Sequence, residues 1–168
     1  MVSIKKSKII SSLIIGFLII LLSQIITATI NFLFVRYQFT HLSFEELKNL
    51  SSSFNSQLVG WINLLIRTLA LIFAGYFVSR RLGKKGWLYA TVVGAIWFTF
   101  VLLISLLPFL LPKDLIYGPN FPDQMAKINM DKRLTNLISS IPISLIKTLL
   151  LTTIGGFLGE YFGKRAKS

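Results

Sequence analysis

Four long apolar stretches constrain this chain more than any other feature of its sequence. They cover residues 9–35, 58–79, 86–111 and 134–162. A helix needs roughly 20 apolar residues to cross the hydrocarbon core of a bilayer, and each stretch reaches that length. A soluble domain of 168 residues could not bury so much Leu, Ile and Phe, and the mean hydropathy is +0.70. The sequence therefore predicts an all-α integral membrane bundle of four transmembrane helices, a single membrane domain over residues 1–168.

The first stretch has the basic start of a secretory signal peptide, with Lys5, Lys6 and Lys8 before it. The apolar part of a signal peptide has about 7–15 residues. This stretch has 27 apolar or uncharged residues and is not followed by a convincing Ala-x-Ala cleavage site. We therefore expect a retained transmembrane helix.

Basic residues next to the spans predict the orientation. Four spans place both termini and the middle connection on one side, and the loops 36–57 and 112–133 on the other. The first side carries ten Lys and Arg residues and the second carries six. The positive-inside rule places the side with ten bases in the cytoplasm. The net charge of +12 therefore indicates topology and attraction to anionic lipid headgroups, and we expect no nucleic-acid partner.

The two external loops contain local signals. Ser43 and Glu46 fit a capping box, which predicts a short helix in the first loop. Residues 117–122, Tyr-Gly-Pro-Asn-Phe-Pro, are typical of turns. Both a recognition surface and an ordinary solvated connection fit these loops.

The second and fourth spans resemble each other at an offset of 80 residues. Residues 66–71, Ile-Arg-Thr-Leu-Ala-Leu, align with residues 146–151, Ile-Lys-Thr-Leu-Leu-Leu. Eight of the twenty positions from 66 to 85 are identical, and Arg67 aligns with Lys147. Both copies run in the same direction through the membrane. We therefore expect two helical hairpins arranged as parallel repeats about an axis along the membrane normal.

Small residues recur every four positions in three of the spans. This spacing places them on one helix face, where missing side chains let two backbones approach. They are Gly75, Ser79 and Gly83; Gly86, Ala90 and Gly94; and Gly155, Gly159 and Gly163. All lie in the half that we place next to the cytoplasm, so we expect tight helix packing there and looser packing outside. Packing within one chain and homodimerisation both use such residues.

Two basic residues, Arg67 and Lys147, interrupt the spans in their outer halves. A charge near the bilayer centre costs about 2.5–3.5 kcal/mol on insertion scales, so an intramembrane base suggests a function. No acidic residue lies at a matching depth in any span. Both side chains lean toward the outer face, where they can reach water by snorkelling. The sequence leaves open whether they are structural or contact an anionic lipid, a ligand or a partner's carboxylate.

Catalytic and metal-binding patterns are missing from the sequence. The chain has no Cys, and its single His, His41, has only Glu45 nearby as a second metal ligand. The sequence has no Gly-rich phosphate loop after a strand and no Gly-x-Ser-x-Gly motif. We therefore expect no catalytic residue, no cofactor and no metal.

Residues 74–94 read Ala-Gly-Tyr-Phe-Val-Ser-Arg-Arg-Leu-Gly-Lys-Lys-Gly-Trp-Leu-Tyr-Ala-Thr-Val-Val-Gly. This segment resembles the YrzE-like group of small bacterial membrane proteins. In that group the second span ends in Gly-x-x-x-(Gly/Ala)-Arg, and a short basic loop leads to Gly-Trp-Leu and a third span of small residues. Residues 155–159, Gly-Gly-Phe-Leu-Gly, resemble its final span. The resemblance covers roughly the last two thirds of the chain and implies a bacterial plasma membrane protein without an assigned activity. This chain departs from the group in Ser79, in longer external loops and in the placement of Arg67 and Lys147.

Two functions are compatible with these sequence features. The first is a non-enzymatic accessory or scaffold protein that binds other membrane components. The second is a small oligomeric transporter or channel that attracts an anionic solute or lipid with Arg67 and Lys147. A membrane-embedded enzyme is the third and weakest hypothesis, because the spans offer few acids, no Cys and no His.

Overall fold

A computed structural model of the chain describes residues 6–41, 54–83, 85–112, 115–116, 118 and 122–165. Within these residues the fold is all-helical, without strands, and four long helices make up nearly all of it. The helices are α1 (Lys6–His41), α2 (Phe54–Leu82), α3 (Gly86–Leu110) and α4 (Asp123–Arg165). The predicted all-α fold class is confirmed.

Each of the four helices is long and apolar enough to cross a bilayer. The apolar segments are Lys6–Tyr37, Gln57–Leu82, Gly86–Leu110 and Lys127–Lys164. The shortest of them has 25 residues. At 1.5 Å per residue it spans about 37 Å, which exceeds the hydrocarbon thickness of about 30 Å. The chain is a multi-pass membrane protein.

Three helices extend beyond the predicted spans, and α2 does so by three or four residues at each end. α1 continues to His41, past the predicted end at residue 35, and α4 begins at Asp123, well before residue 134. The second half of the predicted external loop 112–133 is therefore helical. Hydropathy marks the apolar part of a helix and not its ends. The mixed polar and apolar segment 124–133 contains good helix formers such as Ala, Met and Lys.

The α1–α2 and α3–α4 connections are described only in part. Of the turn predicted for residues 117–122, only Gly118, with a φ of 88°, and Pro122 are described, and the rest of this prediction lies outside the described residues. The capping box predicted at Ser43 and Glu46 lies outside the described residues.

A tight connection joins α2 to α3. Gly83, with a φ of 76°, donates its N–H to the carbonyl of Ser79 at 2.8 Å and so caps α2 in the left-handed conformation. Gly86 in turn donates to the carbonyl of Gly83 at 2.8 Å, and Lys85, with a φ of 61°, precedes α3. Because this connection is so short, α2 and α3 are antiparallel neighbours.

α2 and α3 form the centre of the bundle. Each of them packs against the three other helices, whereas α1 and α4 lie on opposite sides of this pair and share little contact. Between α1, α2 and α3 lies an apolar core that includes Ile20, Leu71, Val78, Val93 and Trp97. Between α2, α3 and α4 lies a second interface, which consists of small residues.

The two halves of the bundle are packed differently. We call the end where α1 begins, α4 ends and α2 joins α3 the proximal end, and the opposite end the distal end. Among the described residues, none before Leu71 on α2, after Trp97 on α3 or before Thr152 on α4 is buried. All three helices are therefore buried only in their proximal halves. The prediction of tight packing in the half that contains the small residues is confirmed.

The internal repeat remains a prediction from the sequence. Ala74 and Val78 are fully buried, whereas Ile154 and Leu158, 80 residues later, are each 42% exposed. α1 covers this face of α2 through Gly16, which lies against Val78. On α4 the equivalent face remains exposed, so the two hairpins do not bury equivalent positions.

Candidate functional site

α2 and α4 approach each other backbone to backbone. A Cβ on Gly75 would overlap the main-chain carbonyl of Thr152, and a Cβ on Gly155 would overlap the carbonyl of Ile72. In lipid, burial gives helices little reason to associate, and close packing of this kind supplies much of the cohesion. We call this contact line the α2–α4 seam.

The contacts along the seam define the direction and register of the two helices. The pairs Gly75–Thr152 and Ile72–Gly155 are separated by 77 and 83 residues, which average 80. One turn nearer the proximal end, a Cβ on Gly159 would overlap the carbonyl of Tyr76. α2 and α4 therefore run parallel, and each residue of α2 lies level with the residue of α4 that is 80 positions later.

α3 packs into the same interface through its own small residues. A Cβ on Gly94 would overlap the hydroxyl of Thr152. A Cβ on Gly156 would lie 2.8 Å from the Cβ of Ala90 and 2.8 Å from the Cα of Trp87. These small residues are buried against partners within one chain, which favours intrachain packing as their role.

The remaining predicted small residues lie near the proximal end. A Cβ on Gly86 would lie 2.6 Å from the carbonyl oxygen of Ser79, so these two residues pack at the α2–α3 connection. Gly83 caps α2 and has open space around it. A Cβ on Gly163 would meet Arg80 no closer than 3.8 Å, which is ordinary van der Waals contact.

Three residues of the packed half were not identified from the sequence. A Cβ on Gly16 would lie 2.7 Å from the side chain of Val78, so α1 also approaches α2 closely. Gly156 and the fully buried Thr152 contact α3. The pairs Ser12–Gly16 and Thr152–Gly156 have the same four-residue spacing as the predicted stripes, and this spacing was the available signal.

Most hydroxyl groups inside the spans are satisfied locally or between helices, whereas the buried Oγ of Ser79 has no hydrogen-bond partner among the described residues. Ser23 donates to the carbonyl of Ile20 at 2.6 Å, and Thr27 donates to that of Gln24 at 3.0 Å. This is the expected bonding of span hydroxyls to the preceding turn. The hydroxyls of Thr91 on α3 and Thr153 on α4 share a hydrogen bond of 2.8 Å.

Polar side chains of α1 and α2 meet in the distal half. Asn63 donates its Nδ2 hydrogen to Oδ1 of Asn31 at 2.6 Å. The Oδ1 atom of Asn63 is buried and has no hydrogen-bond partner among the described residues. Arg67 lies one helical turn further along the same face of α2. We call Asn31, Asn63 and Arg67 the distal polar cluster.

Arg67 lies on the same face of α2 as the residues that are buried in the proximal half of this helix. Leu71 and Ala74 follow it by four and seven residues on this face, and both are buried. Arg67 itself is exposed, because the buried contacts of α2 begin only at Leu71. No carboxylate is recorded against its guanidinium within the described part of the chain; the recorded ion pair is Glu160–Lys164, at 3.0 Å, near the proximal end.

Lys147 lies at the same level as Arg67 but in different surroundings. By the register of the seam, each base is eight residues, or about 12 Å, distal to its glycine, Gly75 or Gly155. Lys147 is exposed and shares its helix face with the exposed Ile154. Arg67 therefore shares its helix face with Asn63, and no contact between the two bases is recorded among the described residues.

A cavity of about 160 Å³ lies between the distal halves of α3 and α4. Apolar side chains such as Trp97 and Leu137 line it together with four hydroxyl residues: Ser105, Ser140, Ser144 and Thr148. Lys147 borders this lining, because Thr148 is its neighbour and Ser144 lies one turn before it. The cavity is small and partly polar, and it opens in the same half as the distal polar cluster.

Within the described ranges, no three His, Cys, Asp or Glu side chains come together as a metal site.

Comparison of the chain with protein-family models, with curated proteins and with solved structures finds no match. The resemblance to the YrzE-like group therefore remains a prediction from the motif at residues 74–94.

Proposed function

We propose that this protein is a non-enzymatic accessory protein of a bacterial plasma membrane, which binds another integral membrane protein through its distal half. The observation that carries the proposal is Arg67. This permanent charge lies in an apolar span, on the helix face that contributes to the core in the proximal half of α2. Among the described residues, no carboxylate is recorded against it.

The chemistry of the distal polar cluster suits an acidic group on a partner helix. A guanidinium binds a carboxylate through two parallel hydrogen bonds, and such pairs are strongest where water is excluded. A partner transmembrane helix with an Asp or Glu at this depth would neutralise Arg67 and offset the cost of a charge in the bilayer.

The proposed orientation follows from the charges at the proximal end. α1 begins, α4 ends and α2 joins α3 at this end, and the sequence has ten basic residues in and beside these segments. The positive-inside rule places this end in the cytoplasm, next to anionic headgroups, and the open distal half toward the outer leaflet. Membership of the YrzE-like group is part of the same proposal, and it implies the same location.

One observation favours a second function. The hydroxyl-lined cavity beside Lys147 suits a small anion, as a transporter of anionic solutes would require. The close packing of α2, α3 and α4 in the proximal half leaves little room for a path through one chain. Conduction would therefore need an oligomer, and we prefer the accessory function.

Photocrosslinking in native membranes tests the proposal. A photoreactive amino acid at Leu64, which is 40% exposed next to Arg67, should form an adduct with one integral membrane protein. The same probe at Val92, 43% exposed in the proximal half, should not form this adduct. Arg67→Leu should abolish the adduct at Leu64, whereas Arg81→Leu, which removes a charge at the proximal end, should leave it unchanged.

A charge exchange makes the test specific for the pair. Arg67→Asp, combined with Arg at the acidic position of the captured protein, should restore the adduct that either change alone removes. An adduct that survives Arg67→Leu, or that consists only of a second copy of this chain, would contradict the proposal. Anion flux in proteoliposomes that depends on Arg67 and Lys147 would establish the transporter instead.

A further inference from the structure

A second surface lies on the lipid-facing side of the α2–α4 seam. It is a groove of about 430 Å³ in the proximal half, with an almost wholly apolar lining. The lining residues are Leu69, Ala70, Ile72, Phe73, Tyr76 and Leu158.

The groove follows from the close approach of the two backbones. Where the carbonyls of Ile72 and Tyr76 meet glycines of α4, no side chain fills the space between the helices. The neighbouring side chains point away on both sides and form walls, with Phe73 56% exposed on α2 and Leu158 42% exposed on α4. Phe73 also stacks on Tyr76, with 6.3 Å between ring centroids. The result is the groove along the α2–α4 seam.

The proximal end of the groove is cationic. Arg80 follows Tyr76 by four residues and Phe73 by seven, so it lies on the same helix face as the groove. Its Nη1 donates to the hydroxyl of Tyr76 at 3.0 Å, and its guanidinium carbon lies 5.8 Å from the centre of that ring. These contacts hold Arg80 against the mouth of the groove and leave further N–H donors for an anion.

By the register of the seam, Glu160 is the acidic residue level with Arg80 in the part of the chain that the structure describes. Glu160 is paired with Lys164 at 3.0 Å, and no carboxylate is recorded against Arg80. A Cβ on Gly163 would lie 3.8 Å from the Cγ of Arg80, so the last turns of α4 pass close to it. The mouth of the groove therefore has an excess of positive charge.

We propose that an anionic phospholipid occupies this groove, with its phosphate on Arg80 and one acyl chain along Phe73 and Leu69. Leu69 and Arg80 are eleven positions apart on α2, a distance of about 16 Å along the helix and close to half of the hydrocarbon thickness of about 30 Å. The groove thus matches one leaflet in length, and its charge lies at the end where a headgroup would be. This site does not involve Arg67 and is independent of the proposed accessory function.

Native mass spectrometry of the detergent-solubilised chain tests this proposal. Titration with phosphatidylglycerol should give one tightly bound lipid, and phosphatidylcholine of the same chain length should bind more weakly. Arg80→Gln should weaken phosphatidylglycerol binding by about tenfold, as expected when a hydrogen bond from a charged donor is lost. Arg81→Gln is the matched control, because it makes the same charge change about 100° further around the helix, and should change binding by less than about twofold.

A second variant tests the acyl chain. Leu158→Trp should fill the groove and weaken phosphatidylglycerol binding without any change in charge, and circular dichroism should show that the variant remains helical. Equal losses with Arg80→Gln and Arg81→Gln would overturn the proposal, because they would indicate a non-specific response to charge. Equal binding of phosphatidylcholine, competition by glycerol phosphate without acyl chains, or a second copy of the chain in place of the lipid would also overturn it.

Discussion

The substitution Gly155→Ala should lower the free energy of unfolding of the bundle more than the addition of a single methyl group suggests. The added methyl group would overlap the carbonyl oxygen of Ile72, which belongs to a helix backbone and cannot rotate away. α2 and α4 must then move apart, and the contacts on both sides of the seam must loosen. Forcing one extra carbon into a packed interior typically costs about 1–3 kcal/mol.

Gly60→Ala is the matched control for this change. Gly60 also lies within α2, but a Cβ there would have nothing within 4 Å. The stability change in Gly60→Ala therefore reflects helix propensity alone, which favours Ala over Gly by about 0.5–1 kcal/mol. The difference between the two variants isolates the overlap, and we expect Gly155→Ala to be less stable than Gly60→Ala by about 1–3 kcal/mol. The free energy of unfolding in mixed micelles, measured by denaturation with dodecyl sulfate, gives both values.

A double substitution tests the geometry of the seam. Gly75→Ala and Gly155→Ala push the same two helices apart, since Gly75 faces Thr152 and Gly155 faces Ile72. Once one methyl group has separated the helices, the second should cost less, with a coupling of about 0.5–3 kcal/mol between the two changes. Additive effects, or equal stability of Gly155→Ala and Gly60→Ala, would refute the close approach of these backbones.

Three further predictions concern polar groups within the spans. Double-mutant cycles of Asn31→Leu with Asn63→Leu should give a coupling of about 0.6 kcal/mol, and no more than about 1.7 kcal/mol, as is typical of hydrogen bonds between transmembrane helices. The cycle of Thr91→Val with Thr153→Val should give a coupling of similar size, and a coupling of zero in either cycle would mean that the bond does not form. Arg67→Leu should not lower the stability of the isolated protein in dodecyl sulfate denaturation, because no carboxylate of the described chain is recorded against Arg67. A clear loss of stability in that variant would assign Arg67 a role within the bundle instead.

Hydropathy and length were sufficient to predict four membrane-spanning helices. They could not locate the ends of α1 and α4, because a helix continues beyond the membrane wherever its polar residues favour helix. The polar segment before Leu134 is an example: it belongs to α4, although its composition gives no sign of a span.

The spacing of small residues identified the packed half of the bundle, but not the pairs of residues in contact. Gly75, Gly155 and Gly159 face carbonyls of the partner helix, whereas Gly83 caps a helix. The same four-residue spacing therefore covers two different roles. Position in a helix distinguishes them: a glycine at the last turn is available as a cap, and one in the middle is not.

The candidate site was only partly accessible from the sequence. Arg67 was identified because a charge in an apolar span is rare, whatever its partner. The bond between Asn31 and Asn63 was not predicted, because it joins two helices whose relative rotation is set by packing. For the same reason, the alignment of Arg67 with Lys147 did not reveal that the two bases have different surroundings.

The proposed topology has the chain crossing the membrane four times, with the packed proximal end in the cytoplasm and the open distal end outside. Because the chain has no Cys, a single Cys can be introduced in place of Lys85, in the α2–α3 connection, or of the exposed Leu115, between α3 and α4. We expect a membrane-impermeant maleimide to label the second variant in intact cells and to label the first only after the membrane is opened. Labelling of both variants, or of the first alone, in intact cells would contradict this topology.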